Sequence, residues 1–176
     1  NKQHNFNAIS LMPTNLYGPG DNYHSINSHV IPALIKKFYD GKMSNAKFVE
    51  CWGTGTPLRE FLYVDDLAEA CLFILGIQKY EKNKLLKDIH GNKIYWLNVG
   101  SPFEVTIKEL ADIIAEEIEF KGEIIWNKKM PDGTPRKKLN TQKINNLGWS
   151  AKTNLREGIR LTLKQFEKEI SENSLR

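Results

Sequence analysis

Cysteine is nearly absent from these 176 residues, with only Cys51 and Cys71 present, and the two form no metal-like pair. That scarcity excludes a disulfide-stapled scaffold and leaves reduced thiols in apolar surroundings as the expectation; no metal is expected. Long hydrophobic runs are lacking too. The longest, around ACLFILG at 70–76, falls far short of the ~20 residues that a membrane span requires. Nor is there a basic stripe interleaved with aromatics: 25 Lys and Arg are scattered among 21 Asp and Glu, giving a net charge of +4. Nucleic acid and membrane are therefore not expected partners, whereas an anionic small molecule suits that balance. The opening residues show no signal-peptide pattern, and with reduced cytosolic thiols as the default a cytoplasmic setting is expected. Most telling, no G-x-G-x-x-G, G-x-x-G-x-x-G or P-loop occurs. The chain starts on NKQHNFNAISLMP, without methionine and straight into a strand-like run. Both features raise the expectation of further sequence upstream.

What is present alternates between strand and helix, the pattern of an α/β fold. FNAISLMP (6–13) reads as a buried strand closed by proline, KFVECWGTG (47–55) as a strand entering a glycine turn, and REFLYV as a second short strand. IYWLNVG and GEIIWN add two more. VIPALIKKFY (30–39) has helical apolar spacing, with Pro32 in its first turn. DDLAEACLFILGIQKY predicts a helix capped by Asp65, and TIKELADIIAEEIEF one opened by a Thr106–Glu109 capping box. A short helix after Asn140 and an amphipathic helix over Leu155–Ile170 complete the pattern, and residues 81–92 read as a charged loop.

Four segments could carry chemistry. MPTNLYGP places Asn15, a match for a carboxamide, at the carboxyl end of a strand, where open α/β sheets bind ligands. A plain strand-ending loop would explain it as well. His29 stands at a loop–helix junction beside Asn27 and Ser28, and imidazole titrates near neutrality, which suits general acid–base work. WGTGTPLREF joins a tryptophan and two glycines to Arg59, whose planar fork fits phosphate oxygens; a hairpin with a surface arginine is the bland alternative. PDGTPRKK looks like a type I or II turn, with Asp132 able to accept from a sugar or base.

In their order and spacing, PTNLYGP-x-DN, NSHVIPAL, WGTGTPLREFLYVDDLA, LNVG, TIKELA and PDGTPRK resemble the GDP-L-fucose synthases. These are GDP-4-keto-6-deoxymannose epimerase/reductases of the extended short-chain dehydrogenase/reductase superfamily. The resemblance runs from Phe6 to the final helix. It implies the C-terminal part of an extended Rossmann-type enzyme: the last sheet strands plus a small α/β substrate-binding domain, with residues 1–176 mostly the latter. The NADP loop, the catalytic Ser and Tyr-x-x-x-Lys and a reactive cysteine would lie upstream, and this stretch alone would be inactive. Pro13, Thr14, Asn15 and Leu16 would line the nicotinamide, and His29 would be the acid/base of epimerisation, also reaching the cofactor. Lys37, Trp52 and Arg59 would contact the GDP-sugar, the two cations near its pyrophosphate, and Asp132 its nucleotide. A homodimer is implied as well. Another nucleotide-sugar epimerase or dehydratase sharing REFLYVDD, or a non-catalytic sugar-nucleotide-binding remnant, stays open at this point.

Overall fold

The computed structural model describes residue 4 and residues 8–80 and 90–175; the charged segment flagged above falls mostly outside them. In chain order the elements are β1 (Ser10–Pro13), β2 (Asn15–Tyr17), α1 (Val30–Met43), β3 (Phe48–Trp52), β4 (Leu58–Arg59), β5 (Phe61–Tyr63), α2 (Val64–Tyr80), β6 (Trp96–Val99), β7 (Val105–Thr106), α3 (Ile107–Ile118), β8 (Glu123–Asn127), β9 (Arg136–Lys137), α4 (Gln142–Asn146) and α5 (Leu155–Ser171). The α/β class expected from the alternation holds. Strand pairing is mostly parallel: β1 with β6, β2 with β5, and β3 with β8. β4 is the middle of a three-stranded patch, antiparallel to β7 and parallel to β9.

Two hydrophobic cores form among the described residues. The larger gathers Ile35 and Phe38 of α1, Leu110 and Ile114 of α3, and Ile159 and Phe166 of α5, together with strand residues such as Val49. The smaller sits between β6, β5, α2 and α4, around Leu62, Ile74, Leu97, Val99, Ile144 and Trp149. Helix faces follow from spacing. In α3, Leu110, Ala111, Ile114, Ala115 and Ile118 turn inward. The predicted capping box is formed, Glu109 N–H donating to Thr106 Oγ1 at 3.0 Å and Thr106 N–H to Glu109 Oε2 at 2.7 Å. Asn154 caps α5 by accepting from Glu157 N–H at 2.9 Å.

Several expectations are corrected. REFLYV is not one strand: the ladder breaks at Glu60, whose side chain turns fully inside, so Leu58–Arg59 and Phe61–Tyr63 join different sheets. Asp65 does not cap α2. β5 passes directly into the helix at Val64, and Asp65 and Asp66 sit in its first turn, where carboxylates favour the dipole. β1 is not buried, since only its Leu11 side packs on the smaller core, while Met12 and Trp96 of neighbouring β6 face outward. Cys71 is exposed on α2, although Cys51 is buried as expected. Thr141, not Asn140, is the N-cap position of α4, yet Asn140 Oδ1 does accept from Gln142 N–H at 3.0 Å. No helix among the described residues is long and apolar enough to cross a membrane.

Candidate functional site

Strand β1 ends at Pro13, and the chain steps sideways through Thr14 to form β2 beside β5. One backbone group fixes that step: the carbonyl of Glu60 accepts from Thr14 Oγ1 at 3.2 Å and from Asn15 Nδ2 at 2.9 Å. The same residue's buried carboxylate accepts from Ser101 N–H at 2.7 Å and from Leu139 N–H at 3.0 Å. Burial pushes this carboxyl up, against the opposing pull of those two N–H groups. Glu60 thus ties together the ends of β1, β4, β6 and β9. A side chain at Gly100 would fall inside its carboxylate.

Beyond Tyr17 the chain turns at Gly18, where a Cβ would lie 2.5 Å from Val64 Cγ1, so only glycine lets the loop hug the start of α2. The loop is knotted rather than loose. Asn22 N–H donates to Asp21 Oδ1 (2.8 Å), His24 N–H to Asn22 Oδ1 (3.0 Å), and the N–H groups of Ile26 and Asn27 to His24 Nδ1 (3.2 and 3.3 Å). Tyr23 plugs it into the larger core, 4% exposed and 4.6 Å from the Phe166 ring. The loop delivers His29 to the N-cap of α1, where its carbonyl accepts from Ala33 N–H at 2.9 Å. The imidazole itself is exposed and makes no hydrogen bond among the described residues. Asp21, across the same space, has its carboxyl pushed up by burial, with His29 nearby pulling the other way.

Together these elements enclose a cavity of about 670 Å³, bordered by Thr14, Asn15, Leu16, Asp21, His29 and Arg59 among others. Five of the sequence-predicted residues therefore converge: Thr14, Asn15, Leu16, His29 and Arg59. Arg59 is half-buried; Nη1 donates to its neighbour Leu58 O at 2.7 Å, and its guanidinium meets no carboxylate among the described residues. A guanidinium at a cavity rim with no carboxylate partner among the described residues is equipped for an oxyanion.

Pro13, Lys37, Trp52 and Asp132 do not border this cavity. The last three form a second cluster at the end of β3. Lys37 Nζ donates to Glu50 O at 3.1 Å and lies 5.5 Å from the centroid of the Trp52 ring, which is 62% exposed. Asp132 reaches back to Thr54, two residues after Trp52. Arg59 joins the two clusters, because Gly133, next to Asp132, lies so close that a Cβ there would be 2.9 Å from Arg59 Nη2. A ligand could run from the cavity, past Arg59, to the Trp52 ring. Sequence reasoning missed Glu60 and Asp21, although both stand inside the quoted segments. A carboxylate placed directly before the apolar run FLYV was the available signal for Glu60. One Tyr-x-x-x-Lys spacing does occur within the chain, Tyr80 to Lys84, but it runs off the end of α2 into residues outside those described.

The profile of the NAD dependent epimerase/dehydratase family matches residues 1–85. Among curated relatives, GDP-L-fucose synthase 1 of Arabidopsis thaliana is 46% identical over 96% of this chain and 48% of its own length. GDP-L-fucose synthase of Escherichia coli (strain K12) is 40% identical over 94% and 50%. The chain thus spans about half the length of the curated relatives it matches. Among solved structures, a GDP-6-OMe-4-keto-L-xylo-heptose reductase from C. jejuni superposes with a TM-score of 0.82 at 30% identity, covering 96% of this chain and 56% of that one. A GDP-L-fucose synthetase from Naegleria fowleri bound to NADP gives 0.77 at 25% identity, covering 93% and 47%.

Proposed function

From its homology to GDP-L-fucose synthases over nearly all of its length, we propose that this chain is the substrate-binding portion of an NADP-dependent epimerase/reductase. The reaction is conversion of GDP-4-keto-6-deoxy-D-mannose to GDP-L-fucose. The observation that carries the reading is the convergence of Asn15, His29 and Arg59 on one cavity, with the Trp52 ring beyond Arg59.

The 4-keto group acidifies protons on both neighbouring carbons. His29, exposed on the cavity wall with an uncommitted imidazole, is the group that removes or returns one of them. Arg59 binds the diphosphate through the guanidinium hydrogens not given to Leu58 O, with Lys37 adding positive charge along the path. Trp52 offers its exposed face to the guanine. Asp132 belongs to the same edge of the site.

The residues fit the reacting end of a nicotinamide cofactor. Thr14 spends its hydroxyl proton and Asn15 one amide N–H on Glu60 O, which leaves Asn15 Oδ1 and its second amide N–H for the carboxamide. NADPH, when bound, supplies hydride to the ketone. The rest of the dinucleotide needs a glycine-rich loop that these 176 residues do not contain. Homodimerisation, carried by the family resemblance, and a cytoplasmic setting, carried by the reduced-thiol expectation, complete the reading.

The test is an assay of the longer protein that includes this chain. GDP-4-keto-6-deoxymannose and NADPH should yield GDP-L-fucose, and absence of product with intact cofactor binding would refute the assignment.

A further inference from the structure

The carboxylate of Asp132 is already engaged. Oδ1 accepts from Thr54 N–H at 2.9 Å, and Oδ2 accepts from Thr54 Oγ1 at 2.7 Å. A hydroxyl has one proton, so Thr54 Oγ1, having donated to Asp132, can only accept from its other neighbours. Those are Thr56 Oγ1 at 2.7 Å and Thr56 N–H at 3.2 Å. A directed chain of bonds therefore runs Thr56 to Thr54 to Asp132.

The turn it holds is boxed in on its other side. Gly53 N–H closes the β3–β8 ladder on Asn127 O (3.0 Å), Lys108 N–H donates to Gly55 O (2.9 Å), and Ile107 N–H donates to Pro57 O (3.1 Å). Gly53 has φ 79°, and a side chain there would fall inside the Asp132 carboxylate. The turn begins directly after Trp52 and leads through Pro57 into β4, which carries Arg59. Gly133, the residue after Asp132, lies against the guanidinium of Arg59. One side chain thus sits between the two groups expected to meet a nucleoside diphosphate.

We infer that Asp132 is a positioning residue: it clamps the 53–56 turn through Thr54, and so sets Trp52 and Arg59 in register for the base and the diphosphate. It acts through Thr54, from whose N–H and hydroxyl it accepts. Hydrogen bonds from Thr54 hold its carboxyl below the usual range, in keeping with an acceptor-only role. The inference rests on the nucleotide-binding reading above.

The experiment compares Asp132→Asn with Asp132→Ala. Asparagine keeps an acceptor for Thr54 N–H and can donate to Thr54 Oγ1, so it preserves the clamp while removing the charge. GDP is the probe, titrated calorimetrically. Affinity for Asp132→Asn should stay within about threefold of wild type, and for Asp132→Ala fall about tenfold or more. Equal losses in both variants overturn the clamp in favour of direct contact by the carboxylate. A readout on the free protein separates this from failure of the nucleotide reading. Amide exchange at Thr54 should accelerate in Asp132→Ala and be restored in Asp132→Asn. Unchanged exchange overturns the clamp whether or not GDP binds. If exchange responds but wild-type protein does not bind GDP, the nucleotide role is refuted and the clamp alone survives.

Discussion

At the scale of single residues, Arg59 and Glu60 stand side by side and do opposite things. Arg59 points its charge outward to the cavity rim, free of carboxylates among the described residues. Replacing it by alanine should weaken GDP-sugar binding by roughly 2–5 kcal/mol, as for a truncated charge contact. An unchanged dissociation constant by calorimetry would show that the guanidinium does not meet the diphosphate. Glu60 points inward and satisfies two backbone N–H groups from segments far apart in sequence. In Glu60→Gln an amide NH₂ must face one of those donors, so unfolding stability should drop by about 1–3 kcal/mol in denaturant titrations. The loss should appear with no ligand present. Arg59 and His29 were legible in the sequence because residue type and local context suffice to nominate them. Glu60 was not, because its partners at positions 14, 15, 101 and 139 meet only in three dimensions.

At the scale of elements, local chemistry was readable wherever the determinants were local. The capping box of α3 lies within four residues, and the fold realises it. The inward turn of Glu60 that splits REFLYV into β4 and β5 is a tertiary event, as is the direct run of β5 into α2. The small patch β7–β4–β9 shows how a surface charge cluster supports the site from outside. Glu104, just before β7, accepts from Arg136 Nε at 2.8 Å and Nη2 at 2.6 Å, and Lys138 lies 3.2 Å away. The Arg136 hydrogen bond leads in holding the Glu104 carboxyl down at about 2. A carboxyl with a depressed folded value stabilises only while ionised. Its contribution is therefore complete above the ordinary value of 4.5 and fades as pH falls toward about 2. Thermal midpoints of wild type and Glu104→Gln should accordingly differ near neutrality and draw together as pH falls from 4.5 toward about 2. A constant gap down to pH 2 would contradict the assignment.

At the scale of the whole molecule, two cores divide the labour. The smaller one holds the strand ends where Thr14 and Asn15 emerge, and the larger one, through Tyr23 and α1, holds the loop and N-cap that present His29. Their meeting forms the cavity, and Arg59 carries it on toward the Trp52 edge. The α/β class and the candidate residues could be read from sequence. The pairing of β1 with β6 and of β3 with β8 could not, since parallel partners lie tens of residues apart and share no local signal. In the proposed reaction His29 moves a proton beside a ketone while the cofactor end of the site stays independent. The most direct measurement is deuterium uptake at C3 and C5 of GDP-4-keto-6-deoxymannose in D₂O, made with the longer protein that includes this chain. Wild type should incorporate deuterium, and His29→Gln should lose incorporation at one or both carbons while binding NADPH as before. Full incorporation at both carbons by His29→Gln would contradict the account.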